Sequence, residues 1–334
     1  MRRFVLALAL VAAALASPRP ARAQTVDIKL GTLAPKGSTW EVLLKELGQK
    51  WHDASGGSVN LKIFAGGVLG NEGDMVRKMR VGQLQAAALT TIGMHDITPD
   101  PEVLDAPMVI QSYEELDYVM SKMEPKLQRA IESKGYVVLA WSEVGFVRFF
   151  SGKKIQKPDD RGAAKLFAWE GDPEAVEAIK AGGFHPVVLS ATDIMPSLQT
   201  GMIDTVATPP LYALTARIHS KAPKMLDLQW AMLTGATVVK KDVWDRVPGE
   251  LQKRLLEISR AYGRRLTLEV RRMNEDALKT MKAQGLEVVP VVDLAGWQTA
   301  ADAANAVVRG KMVPAALFDE MKGYCKEFRA KHGK

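Results

Sequence analysis

The sequence predicts an α/β fold of two domains, and three observations carry that prediction. Short apolar or alternating runs bounded by Gly and Pro are interleaved with amphipathic helical runs, the order that builds parallel sheets covered by helices on both faces. The chain has 334 residues, enough for two cores. From Glu250 to Gln284 there is no Pro and one Gly, Gly263. About 35 residues can therefore form one helix about 52 Å long, more than a small domain needs and enough to run across two.

The elements follow in order. Arg2 and Arg3 precede an uncharged apolar run from Phe4 to Ala16, and Ala21-Arg22-Ala23 supplies small residues around a cleavage point. This is the pattern of a secretory signal peptide over residues 1–23, cut after Ala23, and the run is too short to span a bilayer. Val26 to Leu30 alternates as a strand. Ser38-x-x-Glu41 is a capping box, followed by Trp40, Leu43, Leu44, Leu47, Trp51 and Ala54 on one helical face until Gly56-Gly57. Val59 to Phe64 is a second strand. Asn71 caps a helix carrying Met75, Val76 and Met79, and Leu84 to Leu89 is a short buried strand. Ser112-x-x-Glu115 opens a helix through Ile131, and Tyr136 to Trp141 follows as a strand. Further on, Lys165 to Trp169, Pro186 to Leu189 and Thr205 to Thr208 read as strands. Asp172-Pro173 starts a helix as cap and first residue, and Thr192 to Thr200 forms a short one ended by Gly201.

Charge and motif content exclude several functions. The formal charge is +7, but the first 23 residues hold Arg2, Arg3, Arg19 and Arg22 and no acid, so cleavage leaves +3. A nucleic-acid partner is therefore not expected. A single cysteine, Cys325, rules out an intrachain disulfide and a Cys-based metal cage; on a C-terminal helix it reads as a packed side chain. Gly31 to Ser38 lies between a strand and a helix, yet Lys36-Gly37-Ser38 reverses the order a phosphate loop needs. None of His52, His95, His185, His219 and His332 stands at metal-ligand spacing to another, and no metal or cofactor is expected. His95-Asp96 could serve as an acid–base pair, but a loop histidine is the simpler reading. Glu114-Glu115 is a helix start favoured by the dipole. No nucleophile–base set assembles, so the chain is not expected to be an enzyme. An exported two-domain α/β chain of this kind suits a protein that closes on a ligand.

Several stretches resemble one family. Phe64-Ala65-Gly66-Gly67-Val68-Leu69-Gly70-Asn71-Glu72 resembles the F-x-x-G-x-L-G-x-[ED] block of the DctP-like substrate-binding proteins of TRAP transporters. Val103-Leu104-Asp105-Ala106-Pro107 looks like that family's V-x-D-x-P segment, and Trp141 to Phe149 its W-x-x-G-x-R region. Leu198-Gln199-Thr200-Gly201-Met202-Ile203-Asp204 is similar to L-Q-x-G-x-V-D, and Trp244 to Lys253 to W-x-x-L-P-x-x-L-Q-K. The resemblance runs in order over the whole mature chain. It implies a periplasmic two-domain receptor with a ligand cleft between the domains and a long helix bridging both, which delivers a small organic solute to membrane transporter subunits. Domain I would comprise 24–144 and 233–272, and domain II 145–232 and 273–334.

The departures from the family pattern bear on the ligand. The family's carboxylate-clamping arginine lies in G-L-K-[IL]-R, where this chain has Gly162-Ala163-Ala164-Lys165-Leu166-Phe167, so the resemblance puts Phe167 in its place. The arginine of G-x-R falls on Val147, with Arg148 one position later, and in an extended segment one position reverses the face. The asparagine of Q-E-N-P falls on Thr208, and the pocket acid after the third strand at about Thr90. A carboxylate buried with no fixed cation is costly. With Phe167 and Trp169 at the site, and Trp141, Leu33, Glu72 and Ala191 at or near it, the expected ligand is apolar or amphipathic. Family versions without the arginine are associated with an added periplasmic tetratricopeptide-repeat partner. Two alternatives stand beside this reading: an organic-acid receptor of the same family that uses Arg148, and a secreted α/β hydrolase or isomerase.

Overall fold

The computed structural model describes residues 25–333. The leader and cleavage point expected at residues 1–23 lie outside the described residues.

The first half of the chain builds one sheet. Strand β1 (Val26–Thr32) buries Ile28 and Leu30 and turns Asp27 and Lys29 outward. Helix α1 (Thr39–Ala54) starts where Ser38 Oγ accepts from the Glu41 amide, and Glu41 reaches back to the Gly37 amide at 2.6 Å. Its apolar stripe ends on Trp51, which packs against Trp244 and donates its indole N–H to Ser259 Oγ at 3.1 Å. A buried indole with its N–H bonded in this way contributes area without an orphaned donor. Strand β2 (Val59–Phe64) follows. Helix α2 (Glu72–Arg80) is held by a complete capping box of Asn71 and Asp74. Strand β3 (Ala86–Thr90), the one-turn α3 (Thr91–Met94) and the 20-residue α4 (Tyr113–Glu132), capped by Ser112, complete this part.

Strand β4 (Tyr136–Ser151) is ten residues longer than the Tyr136–Trp141 expected and carries the chain into the second half. There β5 (Lys165–Trp169), α5 (Pro173–Ala181), β6 (His185–Leu189), α6 (Ile194–Thr200), β7 (Thr205–Thr208), α7 (Pro210–Thr215) and β8 (Lys224–Leu226) follow. Strand β9 (Ala231–Lys240) returns alongside β4, and α8 (Lys241–Trp244) leads into α9 (Gly249–Ala283), 35 residues long as the sequence predicts. Strand β10 (Glu287–Val289), α10 (Leu294–Val308) and α11 (Ala315–His332) end the chain.

The strand order is β2-β1-β3-β9-β4-β7-β5-β6, with β8 and β10 attached at the far end of β4. The expectation of parallel sheets holds for β1 with β2 and β3, for β5 with β6 and β7, and for β8 with β10. It fails at the centre, where β4 and β9 are antiparallel to each other and to their neighbours. The two strands serve both halves, so they need no helical crossover between them. Their register shifts between Glu143 and Gly145.

Helix α9 joins the two cores. Leu255, Tyr262, Leu266, Val270 and Ala277 pack with β1 and α1, whereas Met281 packs with Phe150, Phe167 and Met225. Its lone glycine is required by contact: a Cβ on Gly263 would lie 2.7 Å from the Trp141 carbonyl oxygen. Asn274 fixes the crossing, donating to the Val144 carbonyl and accepting from the Leu211 amide. Helix α10 packs on α5, while α11 packs along α4, in the half that the sequence reading gave to domain I.

Candidate functional site

A cavity opens between the two halves. Its first wall comes from the ends of β1 and β3 and from α9, with Leu33, Thr90, Glu72 and Tyr262. Its second wall comes from β5, β7 and the helix starts after them, with Phe167, Trp169, Thr208 and Tyr212. Six of the sequence-predicted residues thus meet here: Phe167, Trp169, Thr208, Thr90, Leu33 and Glu72. Strand alternation explains the pairing on β5, because residues two apart share a face. The Phe167 and Trp169 rings meet edge to face with centroids 5.5 Å apart. Phe167 is 4% exposed and belongs also to the core of the second half.

An acid reaches Thr90 from another segment. Glu72, the first residue of α2, is buried and accepts from the Thr90 amide at 2.8 Å and from Thr90 Oγ1 at 2.6 Å. Burial nevertheless outweighs these donors and pushes its carboxyl up to about 7. The other acid on the wall, Glu143, is held by Arg271, whose Nε donates to it at 2.8 Å.

Three predicted residues lie outside this cavity. Arg148 stands opposite Thr208 in the β4–β7 register, but its guanidinium is bonded to Asp227 and is not on the wall. Trp141 faces a separate groove along α9, and its indole N–H has no partner. Ala191 lines a small neighbouring cavity with Trp169 and Glu72.

A second cavity lies across Phe167, Trp169, Ala207, Thr208 and Leu233, which it shares with the first. Its apolar side is Phe149, Phe184, Trp230 and Met232, and its polar end is Glu102, Asp105 and Asp172. Sequence reasoning missed this chamber. Phe149, Phe184, Trp230 and Trp297 come from four separate segments and meet only as an aromatic cluster in the fold. No Arg, Lys or His lines either cavity among the described residues.

The pairing of His95 with Asp96 suggested by their adjacency is replaced by a tertiary one. His95 Nδ1 lies 3.2 Å from Glu102 Oε2 and 3.9 Å from Asp172 Oδ2. The hydrogen bond to Glu102 pushes the imidazole up to about 9, and burial pushes Glu102 up to about 8. Cys325 is buried beside Met321, and burial pushes its thiol up to about 12, which suits packing and not nucleophilic attack. At the Lys36-Gly37-Ser38 turn, Glu41 takes the Gly37 amide that a phosphate loop would offer.

Residues 30–309 match the sequence profile described as bacterial extracellular solute-binding protein, family 7, or DctP. The C4-dicarboxylate-binding periplasmic protein DctP of Rhodobacter capsulatus is 27% identical over 285 residues, 82% of this chain and 83% of that protein. Two solved TRAP periplasmic solute-binding proteins share the fold. One, from Ralstonia eutropha with bound (S)-2-acetolactate, has a TM-score of 0.84 at 20% identity, covering 91% of this chain and 99% of that one. The other, from Citrobacter koseri with bound D-glucuronate, has a TM-score of 0.81 at 22% identity, covering 88% and 98%. No described helix is long and apolar enough to cross a membrane. With its two α/β halves, long bridging helix and cleft, the chain belongs to the DctP family of bacterial extracellular solute-binding proteins.

Proposed function

We propose that the protein is the periplasmic receptor of a TRAP-type transporter, released by cleavage after Ala23, and that it closes on an apolar or amphipathic organic solute. The solute lies between Glu72–Thr90 of one half and Phe167–Trp169 of the other. The charge of the walls carries this reading: both cavities are largely apolar, their charged residues are acids, and no cation among the described residues faces them. The relatives named above bind carboxylates. A carboxylate in this cleft would meet Glu72 and no positive partner, a costly arrangement at low dielectric. Phe167 in the family's clamp position offers ring area instead.

Closure is read as bending of the β4–β9 pair near the Glu143–Gly145 register shift. Domain I is then 24–144 with 233–272, and domain II is 145–232 with 273–334. The partners are the transporter's membrane subunits and, in the manner of family versions without the arginine, a periplasmic tetratricopeptide-repeat protein. Binding without turnover fits the site: Cys325 is sealed in the core and His95 is engaged by two acids.

A second reading, an organic-acid receptor, is favoured by the relatives' ligands. It requires Arg148 to leave Asp227 and turn into the cleft. Thermal-shift screening of metabolite extracts tests both. A ligand should raise the melting temperature by mass action and return chemically unchanged. Steady conversion of the bound compound would replace the receptor reading with an enzymatic one.

A further inference from the structure

At the polar end of the second cavity, three side chains from distant segments converge. His95 caps the end of α3, Glu102 lies in the 3-10 segment Asp100–Asp105, and Asp172 precedes α5. Their ligand atoms all lie within 4.8 Å of one another. Glu102 is 2% and Asp172 3% exposed, and both still carry an oxygen with no hydrogen-bond partner, Glu102 Oε1 and Asp172 Oδ2. Two buried carboxyl groups with free lone pairs are a costly arrangement unless a proton or a metal cation takes them up. The imidazole alone can neutralise one of them.

We propose that His95 Nδ1, Glu102 and Asp172 form a site for one divalent transition-metal ion, zinc being the best match, which ties the segment after β3 to the segment after β5. One imidazole with two carboxylates is a donor set for a borderline divalent ion, and two carboxylates balance its charge. Tetrahedral bonds of about 2.0–2.1 Å require donors about 3.3 Å apart. The two separations from Nδ1, 3.2 and 3.9 Å, are close to that value before any ion draws them in. Three donors including a nitrogen do not suit calcium, which takes six to eight oxygens. Glu102 and Asp172 line the second cavity, so the fourth position belongs to water entering from there. Asp172 can serve the ion without losing its local role, because its Oδ1 accepts from the Ala175 amide at 2.8 Å and Oδ2 is the free atom.

The test uses the purified protein stripped with a chelator and titrated calorimetrically with zinc, with calcium as a second titrant. The expected result is one equivalent of zinc at micromolar dissociation constant or tighter, and no comparable calcium site. Crystals grown with zinc should show an anomalous peak bounded by His95, Glu102 and Asp172. Asp172→Asn, which keeps the cap acceptor, and His95→Gln should each weaken zinc by about 100-fold, since even an outer-shell partner is worth about 10- to 100-fold. Absence of a one-to-one site, a site retained in both variants, equal affinity for calcium, or loss on His52→Ala or His332→Ala instead would each overturn the proposal.

Discussion

The two cavities share the wall of Phe167, Trp169 and Thr208 and differ in how each holds its acid. On the first side Glu72 is the first residue of a capped helix and faces two donors from Thr90, so both of its oxygens are occupied. On the second side Glu102, Asp105 and Asp172 crowd together, and each retains an oxygen without a partner. A buried carboxylate supplied with N–H and O–H donors can stand beside an apolar ligand, whereas a cluster short of donors calls for a cation. The difference separates a chamber suited to an organic solute from a flank suited to an ion.

Replacing the shared wall should have the largest effect. Phe167→Arg puts an unpaired cation at a position 4% exposed; stability should fall by about 3–5 kcal/mol and binding of the native ligand should vanish. Urea unfolding and calorimetry measure the two losses. A folded variant that binds as well as the wild type, or better, would instead support the organic-acid reading. Phe167→Ala should cost about 3–4 kcal/mol of stability through the cavity it leaves and weaken the ligand by about 1–3 kcal/mol. Unchanged affinity would confine the ring to the core.

The acid of the first cavity gives a pH signature. The Glu72 carboxyl rises from its ordinary 4.5 to about 7 in the folded protein, so the folded state holds its proton more tightly than the unfolded chain does. Its contribution to stability is present in full below pH 4.5 and is lost as pH rises through about 7. The total change is about 3 kcal/mol. Glu72→Gln should flatten that part of the stability-against-pH curve; an unchanged slope would mean that the Thr90 donors hold the carboxylate ionised. Arg148→Ala should have the smallest effect. The Arg148 side chain is 16% exposed but Asp227 is 53% exposed, so losing the pair should cost about 1 kcal/mol or less and leave ligand affinity unchanged.

The sequence made some of this visible and hid the rest for physical reasons. Helices α1, α2, α4 and α5 were legible because their caps, Ser38, Asn71, Ser112 and Asp172, are local. The long helix was legible from the absence of Pro. Strand β9 was not, because Ala231–Lys240 buries both faces and so loses the alternation that marks a half-exposed strand. Gly235 within it, where a Cβ would lie 2.4 Å from the Leu89 carbonyl oxygen, reads as a break from sequence alone. Phe167 and Trp169 were singled out through a motif, and the structure adds the ring contact between them. The convergence of His95, Glu102 and Asp172 has no local trace, since it depends on the loops after β3 and β5 meeting.

The cleft between Glu72–Thr90 and Phe167–Trp169 should receive its ligand without a cation. Native mass spectrometry of the protein purified gently from its own periplasm, followed by identification of the released small molecule, tests it most directly. The released compound should be apolar or amphipathic and carry no carboxylate. A sugar acid or C4-dicarboxylate, bound one to one and lost on Arg148→Ala, would contradict it.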